Sequence, residues 1–527
     1  MPQTSFCISP GGLLSARSAL TLTLLALLSG CAALPTLAGR SQTRALDNTA
    51  ETRLGRASVA PAKAHPGQSG VLALAEGREA FATRMLLAEA AERSLDVQYY
   101  IWHADLTGTL LMQALGQAAE RGVRVRLLLD DNNTGGLDAL LAALDSHPNL
   151  EVRLFNPFMQ RDWRWLGYLS DFGRLNRRMH NKSFTADNQV TIIGGRNIGD
   201  EYFDAGQEVS FVDLDVLAVG AVVPLVSADF DRYWASASAY PVASLLPAAD
   251  PQSLNRLAEH AAQVRSSPAA TPYLAALGRS DFIKRLIAGE LALEWTEVRL
   301  VSDDPAKGLG QAGVQALLPQ KLANVLGAPQ QELLLVSPYF VPTASGTQAL
   351  TELRGRGVAV SVLTNALAAT DVPAVHAGYA KRRHALLRGG VKLFELKPDA
   401  YAPRSAHADR GLAGSSGASL HAKTFAVDSR RVFIGSFNLD PRSAALNTES
   451  GFVIDSPRMA ADISNAFRET LATQAYTVRL NDEGRIEWLD RQSSEGAPQV
   501  QDHEPQTPVW KRALLRVLSW LPIEWLL

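Results

Sequence analysis

Apolar positions along the chain change period in a recurring order. "RSLDVQYYIW" (Arg93 to Trp102) reads as a strand, and "LTGTLLMQALGQAAERG" (Leu106 to Gly122) has helical apolar spacing closed by a glycine. "VRVRLLLDD" (Val123 to Asp131) alternates and then becomes fully apolar, as a buried strand does. The same order returns in "QELLLVSPYF" (Gln331 to Phe340), "TQALTELRGRG" (Thr347 to Gly357) and "VAVSVLTNAL" (Val358 to Leu367). A further strand follows each unit, "EVRLFNPF" and "VKLFELKP". Strand-helix-strand units of this kind build parallel sheets. The pattern therefore predicts an α/β fold made of two lobes, each a mixed β-sheet flanked by helices. The lobes are expected over 68–250 and 295–480, with a helical connection at 251–294 and a C-terminal tail at 481–527. Two similar lobes in one chain pack most simply pseudo-twofold around one shared site, like a fused isologous dimer.

Each lobe then carries a polar pattern that a buried strand does not need. "MHNKSFTADNQVTIIGGRN" places His180, Lys182, Asp187, Gly194, Gly195 and Asn197, and "LHAKTFAVDSRRVFIGSFN" places His421, Lys423, Asp428, Gly435, Ser436 and Asn438. In extended chain, residues two apart share a face, so each histidine points with its lysine. Asp187 and Asp428 have the opposite parity and fall at the strand turn, which predicts a structural role. Gly194, Gly195, Gly435 and Ser436 are small enough to let a ligand approach the backbone. Two imidazoles, two ammonium groups and the Asn197 and Asn438 amides would suit a phosphate oxyanion. One imidazole can attack phosphorus while the other handles the proton of the leaving or incoming hydroxyl. The lysines supply the charge, so no metal and no cofactor is expected.

Composition narrows the partners. The formal net charge is −2, so no global basic field draws the chain to nucleic acid. The only cysteines are Cys7 and Cys31, which excludes a disulfide framework and a Cys-rich metal site. "SARSALTLTLLALLSGCA" has a charged start, an apolar run about half the roughly 20 residues of a spanning helix, then small residues and Cys31. It resembles a bacterial lipoprotein signal over 1–30, with Cys31 as the lipidated residue. Residues 31–67, rich in Ala, Arg, Thr, Pro and Gly, read as a flexible tether. The expected place is the bacterial cell envelope, membrane-anchored and facing the periplasm, with inner and outer membrane both open.

The paired motifs resemble those of the phospholipase D superfamily: HxK, four residues, Asp, then Gly-Gly or Gly-Ser and Asn. Stretches such as "LNRRMHNKSFTADNQVTIIGGRNIGDEYF", "SDDPAKG", "DVPAVHAGYA", "FIGSFNLDPRS" and "PIEWLL" are similar to the bacterial cardiolipin synthase C subfamily. The resemblance implies phospholipase D-like lobes and a phosphatidyl group passed through a phosphohistidine, from phosphatidylethanolamine or phosphatidylglycerol to phosphatidylglycerol. It implies His180, Lys182, Asn197, His421, Lys423 and Asn438 as catalytic, with His180 the nucleophile and His421 the acid and base. It also implies an acid after each motif that orients the histidine: Asp213, with Glu208 competing for the first role, and Glu449. Implied partners are phospholipid substrates and a membrane surface; no protein partner is indicated. Hydrolysis of head groups with water as acceptor, nucleic-acid hydrolysis and non-catalytic lipid binding are the competing readings.

Aromatic residues beside the first strand of each unit (Tyr99, Tyr100, Trp102; Tyr339, Phe340) either line the cleft or fill the core. "RDWRWLGYLSDFGRLNRR" (Arg161 to Arg178) is either a headgroup surface or a solvated helix face. "WKRALLRVLSWLPIEWLL" (Trp510 to Leu527) has an amphipathic pattern expected at a membrane interface. The Gly/Ser-rich run Asp409 to Ser419 is either a mobile cleft loop or a connector.

Overall fold

The computed structural model describes residues 33–205, 209–400, 417–491 and 497–527. The expected signal with Cys31, the competing acid Glu208 and most of the Asp409–Ser419 run lie outside the described residues.

Two mixed sheets carry the fold. The first is nine-stranded: Glu294–Thr296, Ser69–Leu74, Asp215–Gly220, Val190–Gly194, Ser183–Ala186, Ser94–Ile101, Arg124–Asn133, Leu150–Phe155 and Ala239–Pro241. The second is ten-stranded: Val298–Ser302, Ser450–Asp455, Arg431–Gly435, Thr424–Val427, Glu332–Val336, Ala359–Asn365, Lys392–Leu396, Ala475–Leu480, Ile486–Asp490 and Gln499–Gln501. Apart from Glu294–Thr296 at one edge and the last two strands at the other, the order repeats strand for strand. In each sheet the three central strands that follow from the repeated units are parallel, and the rest are antiparallel.

The lobes share a core. Val71, Ile193, Val216 and Val226 of the first pack with Leu334, Ile434, Phe452 and Ile454 of the second in one buried cluster. Burial of this kind contributes about 25 cal/mol per Å² of apolar surface, so the two lobes hold as one body. The connection between them folds as helices Ser253–Ser266, Thr271–Arg279 and Phe282–Ala288 against the first lobe.

Two segments differ from the sequence expectation. The stretch read as a tether is docked from about residue 40. Arg40 donates to the carbonyls of Ala235, Ser236 and Ala239 at 2.6, 2.6 and 2.8 Å, just past the C-terminal end of the Val223–Trp234 helix. A cation there meets the unpaired carbonyl end of the helix. Arg53–Ala64 is itself a helix, capped by Thr52 and burying Leu54 and Ala57. Gly55 is required in its first turn, because a Cβ there would sit 2.3 Å from the Thr49 carbonyl. The expected tail from 481 instead extends the second sheet through two antiparallel strands, and Val509–Trp520 packs as a helix through Leu515 and Leu518.

Asp187 and Asp428 turn the motif hairpins, both at positive φ (52° and 53°). The Asp187 carboxylate accepts the backbone N–H groups of Glu92, Arg93 and Ser94, and Asp428 those of Gln330, Gln331 and Glu332. Each thus ties its hairpin to the start of the neighbouring parallel strand. The two differ in exposure, Asp187 being buried and Asp428 half-buried. Asp187→Ala should lower unfolding stability by about 2–4 kcal/mol, since it strands charge-assisted donors away from water. Asp428→Ala should cost less, because water reaches its donors; chemical denaturation of the two variants measures the difference.

Candidate active site

The motif histidines stand at the seam between the lobes, in extended chain just before Ser183–Ala186 and Thr424–Val427. Gly417–Leu420 pairs in parallel with Val209–Val212 of the first lobe, and the Val212 carbonyl accepts the His421 N–H at 2.8 Å. On the other side Met179 bridges Thr448 of the second lobe, and the Thr448 carbonyl accepts the His180 N–H at 2.9 Å. The residue after each pairing partner is an acid. Register alone therefore delivers Asp213 to His421 and Glu449 to His180. The distances are 2.5 Å from His421 Nδ1 to Asp213 Oδ2 and 2.9 Å from His180 Nδ1 to Glu449 Oε2.

This exchange corrects the expectation that the first histidine's partner is Asp213 or Glu208. It is Glu449, from the other lobe. A carboxylate at Nδ1 fixes that nitrogen as the N–H donor and leaves the Nε2 lone pair free to react.

All eight polar residues expected in the site are buried: His180, Lys182, Asn197, Asp213, His421, Lys423, Asn438 and Glu449; the two histidines, the two lysines and the two acids come together. Burial, then Lys182, Lys423 and His421, hold the His180 imidazole well below its ordinary value. His421 is lowered by burial and Lys423, with Asp213 opposing. Burial pushes Glu449 up to about 7. Burial also acts upward on Asp213, but His421, Lys423 and Arg196 outweigh it and keep this carboxyl below its usual range. Both lysines are lowered by burial, Lys423 to about 8 and Lys182 well below its ordinary value. An entering phosphodiester anion would oppose the lowering of both histidines and both lysines.

The small residues act differently from expectation. A Cβ on Gly194 would lie 2.0 Å from Asp215 Oδ1, and one on Gly195 2.1 Å from Asp213 Oδ1. A Cβ on Gly435 would lie 2.4 Å from the Ser450 carbonyl. They make room for the acids and the neighbouring strand rather than for a ligand. Ser436, at the position matching Gly195, donates its hydroxyl to Glu449. The two halves therefore differ: Glu449 accepts a hydroxyl that only partly offsets the burial raising it, whereas Asp213 faces glycine and is held low by His421 and Lys423.

Each lysine donates to the carbonyl of its own histidine, Lys182 at 2.6 Å. Asn197 is tied on both sides: its Oδ1 accepts the Ile101 N–H at 3.2 Å, and its Nδ2 donates to the Tyr202 hydroxyl at 3.0 Å. Of the aromatics left open by the sequence, Tyr99, Trp102 and Phe340 are core residues. Tyr100 packs edge-on against His180 at 4.9 Å, and Tyr339 is half-buried with its hydroxyl on Asp371 at 2.6 Å.

Sequence reasoning missed Tyr202 and Phe211, whose rings lie 5.1 and 5.0 Å from His421. It also missed Asp303, which accepts the Glu449 N–H at 2.9 Å and pairs with buried Lys307 at 2.9 Å. The "SDDPAKG" run carried that signal without a role attached.

A family model described as "Cardiolipin synthase, PLD-like domain" matches residues 85–234 and 322–471, one match in each lobe. Cardiolipin synthase C of Escherichia coli (strain K12) is 52% identical over 475 residues, covering 90% of this chain and 100% of the relative. A cardiolipin synthase of Staphylococcus aureus (strain N315) is 23% identical over 424 residues, 79% of this chain and 69% of the relative. The crystal structure of phosphatidylserine synthase from Haemophilus influenzae Rd KW20 aligns with 90% of this chain and 100% of that chain, with a TM-score of 0.56. At 15% identity that likeness speaks for the fold alone. With both lobes matched by the family model and a relative matched along its whole length, the chain belongs to the cardiolipin synthase family of phospholipase D-like proteins.

Proposed function

We propose that this chain is a phosphatidyltransferase of the cardiolipin synthase type, acting through a phosphohistidine on His180. The observation that carries the reading is the pair of buried histidines, each oriented at Nδ1 by an acid from the opposite lobe. His180, the more strongly lowered of the two, is the neutral imidazole and the nucleophile. His421, facing an ionised Asp213, is the one that can carry a proton.

His180 Nε2 attacks phosphorus of phosphatidylethanolamine or phosphatidylglycerol. The P–O bond to ethanolamine or glycerol breaks as His421 gives its proton to the leaving oxygen. His421 then takes the proton from a hydroxyl of phosphatidylglycerol, whose oxygen attacks phosphorus. The P–N bond breaks, cardiolipin leaves, and both histidines return to their starting state. Lys182 and Lys423 stabilise the non-bridging oxygens, while Asn197 and Asn438 complete the polar wall. Water as acceptor would give phosphatidic acid instead. Mass spectrometry of products from mixed phosphatidylglycerol and phosphatidylethanolamine vesicles separates the two: cardiolipin is expected, and phosphatidic acid alone would contradict transfer.

Burial of the two imidazoles sets a sign for the pH dependence. The free enzyme needs His180 unprotonated and His421 protonated, and both are lowered from the ordinary imidazole value of about 6.5. The profile of kcat/KM should therefore peak below that value. Bound phosphodiester anion favours the protonated forms, so the kcat optimum should lie higher than the kcat/KM optimum. Coincident optima would contradict this.

We further infer that the protein is a periplasm-facing lipoprotein acylated on Cys31. No helix among the described residues is long and apolar enough to cross a membrane. Metabolic labelling with palmitate should mark the wild-type protein and fail to mark Cys31→Ser. No label on wild type would leave the apolar run as an ordinary signal or anchor.

A further inference from the structure

Five of the nine tryptophans are more than half exposed: Trp163 and Trp165 at 62% and 60%, and Trp510, Trp520 and Trp525 at 67%, 84% and 59%. They fall in just two places. One is the Arg164–Ser170 helix with its flanks, where Leu169 and Phe172 are also exposed. The other is the Val509–Trp520 helix and the turn after it. That helix docks through Leu515 and Leu518, while Trp510, Leu514, Val517 and Leu521, at i, i+4, i+7 and i+11, are exposed. An outward apolar stripe of this kind is unpartnered within the chain.

Both places are fastened to one residue close to the second motif. Arg442, four residues after motif Asn438, donates to the carbonyl and side-chain oxygen of Asn176 at 3.1 and 2.6 Å. Asn176 caps the Phe172–Leu175 turn. The same guanidinium donates to the Leu526 carbonyl at 3.0 Å, and the Arg442 N–H to the Leu527 carbonyl at 2.8 Å. A second thread leads inward. Tyr168 on the first helix donates to Asn132 at 2.7 Å, Asn132 reaches the Tyr100 hydroxyl at 3.4 Å, and the Tyr100 ring packs on His180. The two aromatic surfaces are thus joined to each other through Arg442, and the first is joined to His180 through Tyr168, Asn132 and Tyr100.

We propose that these two surfaces form one docking rim that seats the cleft mouth on an anionic phospholipid bilayer. The proposal rests on the reading that the substrate is a phospholipid, whose long-chain forms reside in a bilayer that must be held against the cleft. Charge favours this occupant over a protein. The Val509–Trp520 helix carries Lys511, Arg512 and Arg516 and no acidic residue, which complements anionic headgroups such as phosphatidylglycerol. Tryptophan is the side chain that best tolerates a headgroup boundary, with an apolar ring and a polar N–H.

The test uses the full-length protein and phosphatidylglycerol/phosphatidylcholine vesicles with brominated acyl chains, which quench tryptophan in the bilayer. Residues 1–32 contain no tryptophan, so an N-terminal anchor gives no signal. Wild-type emission should be quenched, and less so in Trp520→Ser/Trp525→Ser and in Trp165→Ser/Phe172→Ser. Both variants should need about tenfold more vesicle lipid for half-maximal turnover, a loss in reach of two aromatic anchors. Their turnover of monomeric short-chain phosphatidylglycerol should be unchanged. Unquenched wild-type emission overturns the docking rim, whether or not lipid is transferred. It is also overturned if the variants dissociate a dimer in sedimentation while quenching stays intact, because a second copy would then cover the face. Quenching without any transfer supports the rim and contradicts the phosphatidyltransferase reading instead.

Discussion

His180→Ala and His421→Ala should each lower turnover on the order of 10⁴–10⁶-fold, with the fold intact by circular dichroism. The reason is the absence of redundancy. The expected site contains two imidazoles, each held by its own acid, and among the described residues no other histidine contacts Asp213 or Glu449. The residual activities should differ in kind. Without His180 there is no nitrogen nucleophile, so neither step runs. Without His421 the first step still proceeds when the leaving alcohol is activated, as with a p-nitrophenyl phosphodiester, because that leaving group needs no proton. A His421→Ala enzyme should therefore release one burst of nitrophenolate and stop, whereas His180→Ala should give no burst. Equal bursts from both would contradict the assigned roles.

The second large effect concerns the exchanged acids. Asp213→Asn should cost on the order of 10³–10⁴ in kcat, the scale seen when a histidine loses the carboxylate that sets its tautomer. Glu449→Gln should cost less, because Glu449, raised to about 7, is already partly protonated near neutrality. Coupling should follow contact rather than sequence. A double-mutant cycle should show His180 coupled to Glu449 and His421 to Asp213, with Asp213 and Glu449 closer to additive on the nucleophilic step. If instead His180 coupled to Asp213, the parallel pairings at Met179–Thr448 and Leu420–Val212 could not be the functional register.

The sequence made the duplication legible, since strand and helix periods recur in order and the polar motif sits at the same place in each lobe. The two histidines, two lysines and two asparagines were legible from residue type and spacing, and the two acids only from the family resemblance. The exchange of acids was not. It depends on a parallel pairing between strands of different lobes, and no local pattern records which strand a segment will meet. The early segment misled for a related reason. Residues 40–64 have few large apolar side chains, and much of their docking runs through Arg40 to backbone carbonyls and through a helix with one deeply buried leucine. The glycines misled in direction. A missing Cβ signals close approach, but only the structure shows that the approaching group is Asp213 rather than a ligand.

The central claim is a covalent phosphatidyl group on His180, formed in a site that both lobes complete. It is tested most directly by mixing His421→Ala with the p-nitrophenyl ester of phosphatidic acid, whose leaving group needs no proton, quenching under alkaline denaturing conditions that preserve phosphoramidates, and mapping the adduct by peptide mass spectrometry. The account predicts one phosphatidyl group, on the peptide containing His180. Turnover-competent wild-type enzyme that never carries a histidine adduct, or an adduct on His421 in the matching His180→Ala experiment, would contradict it.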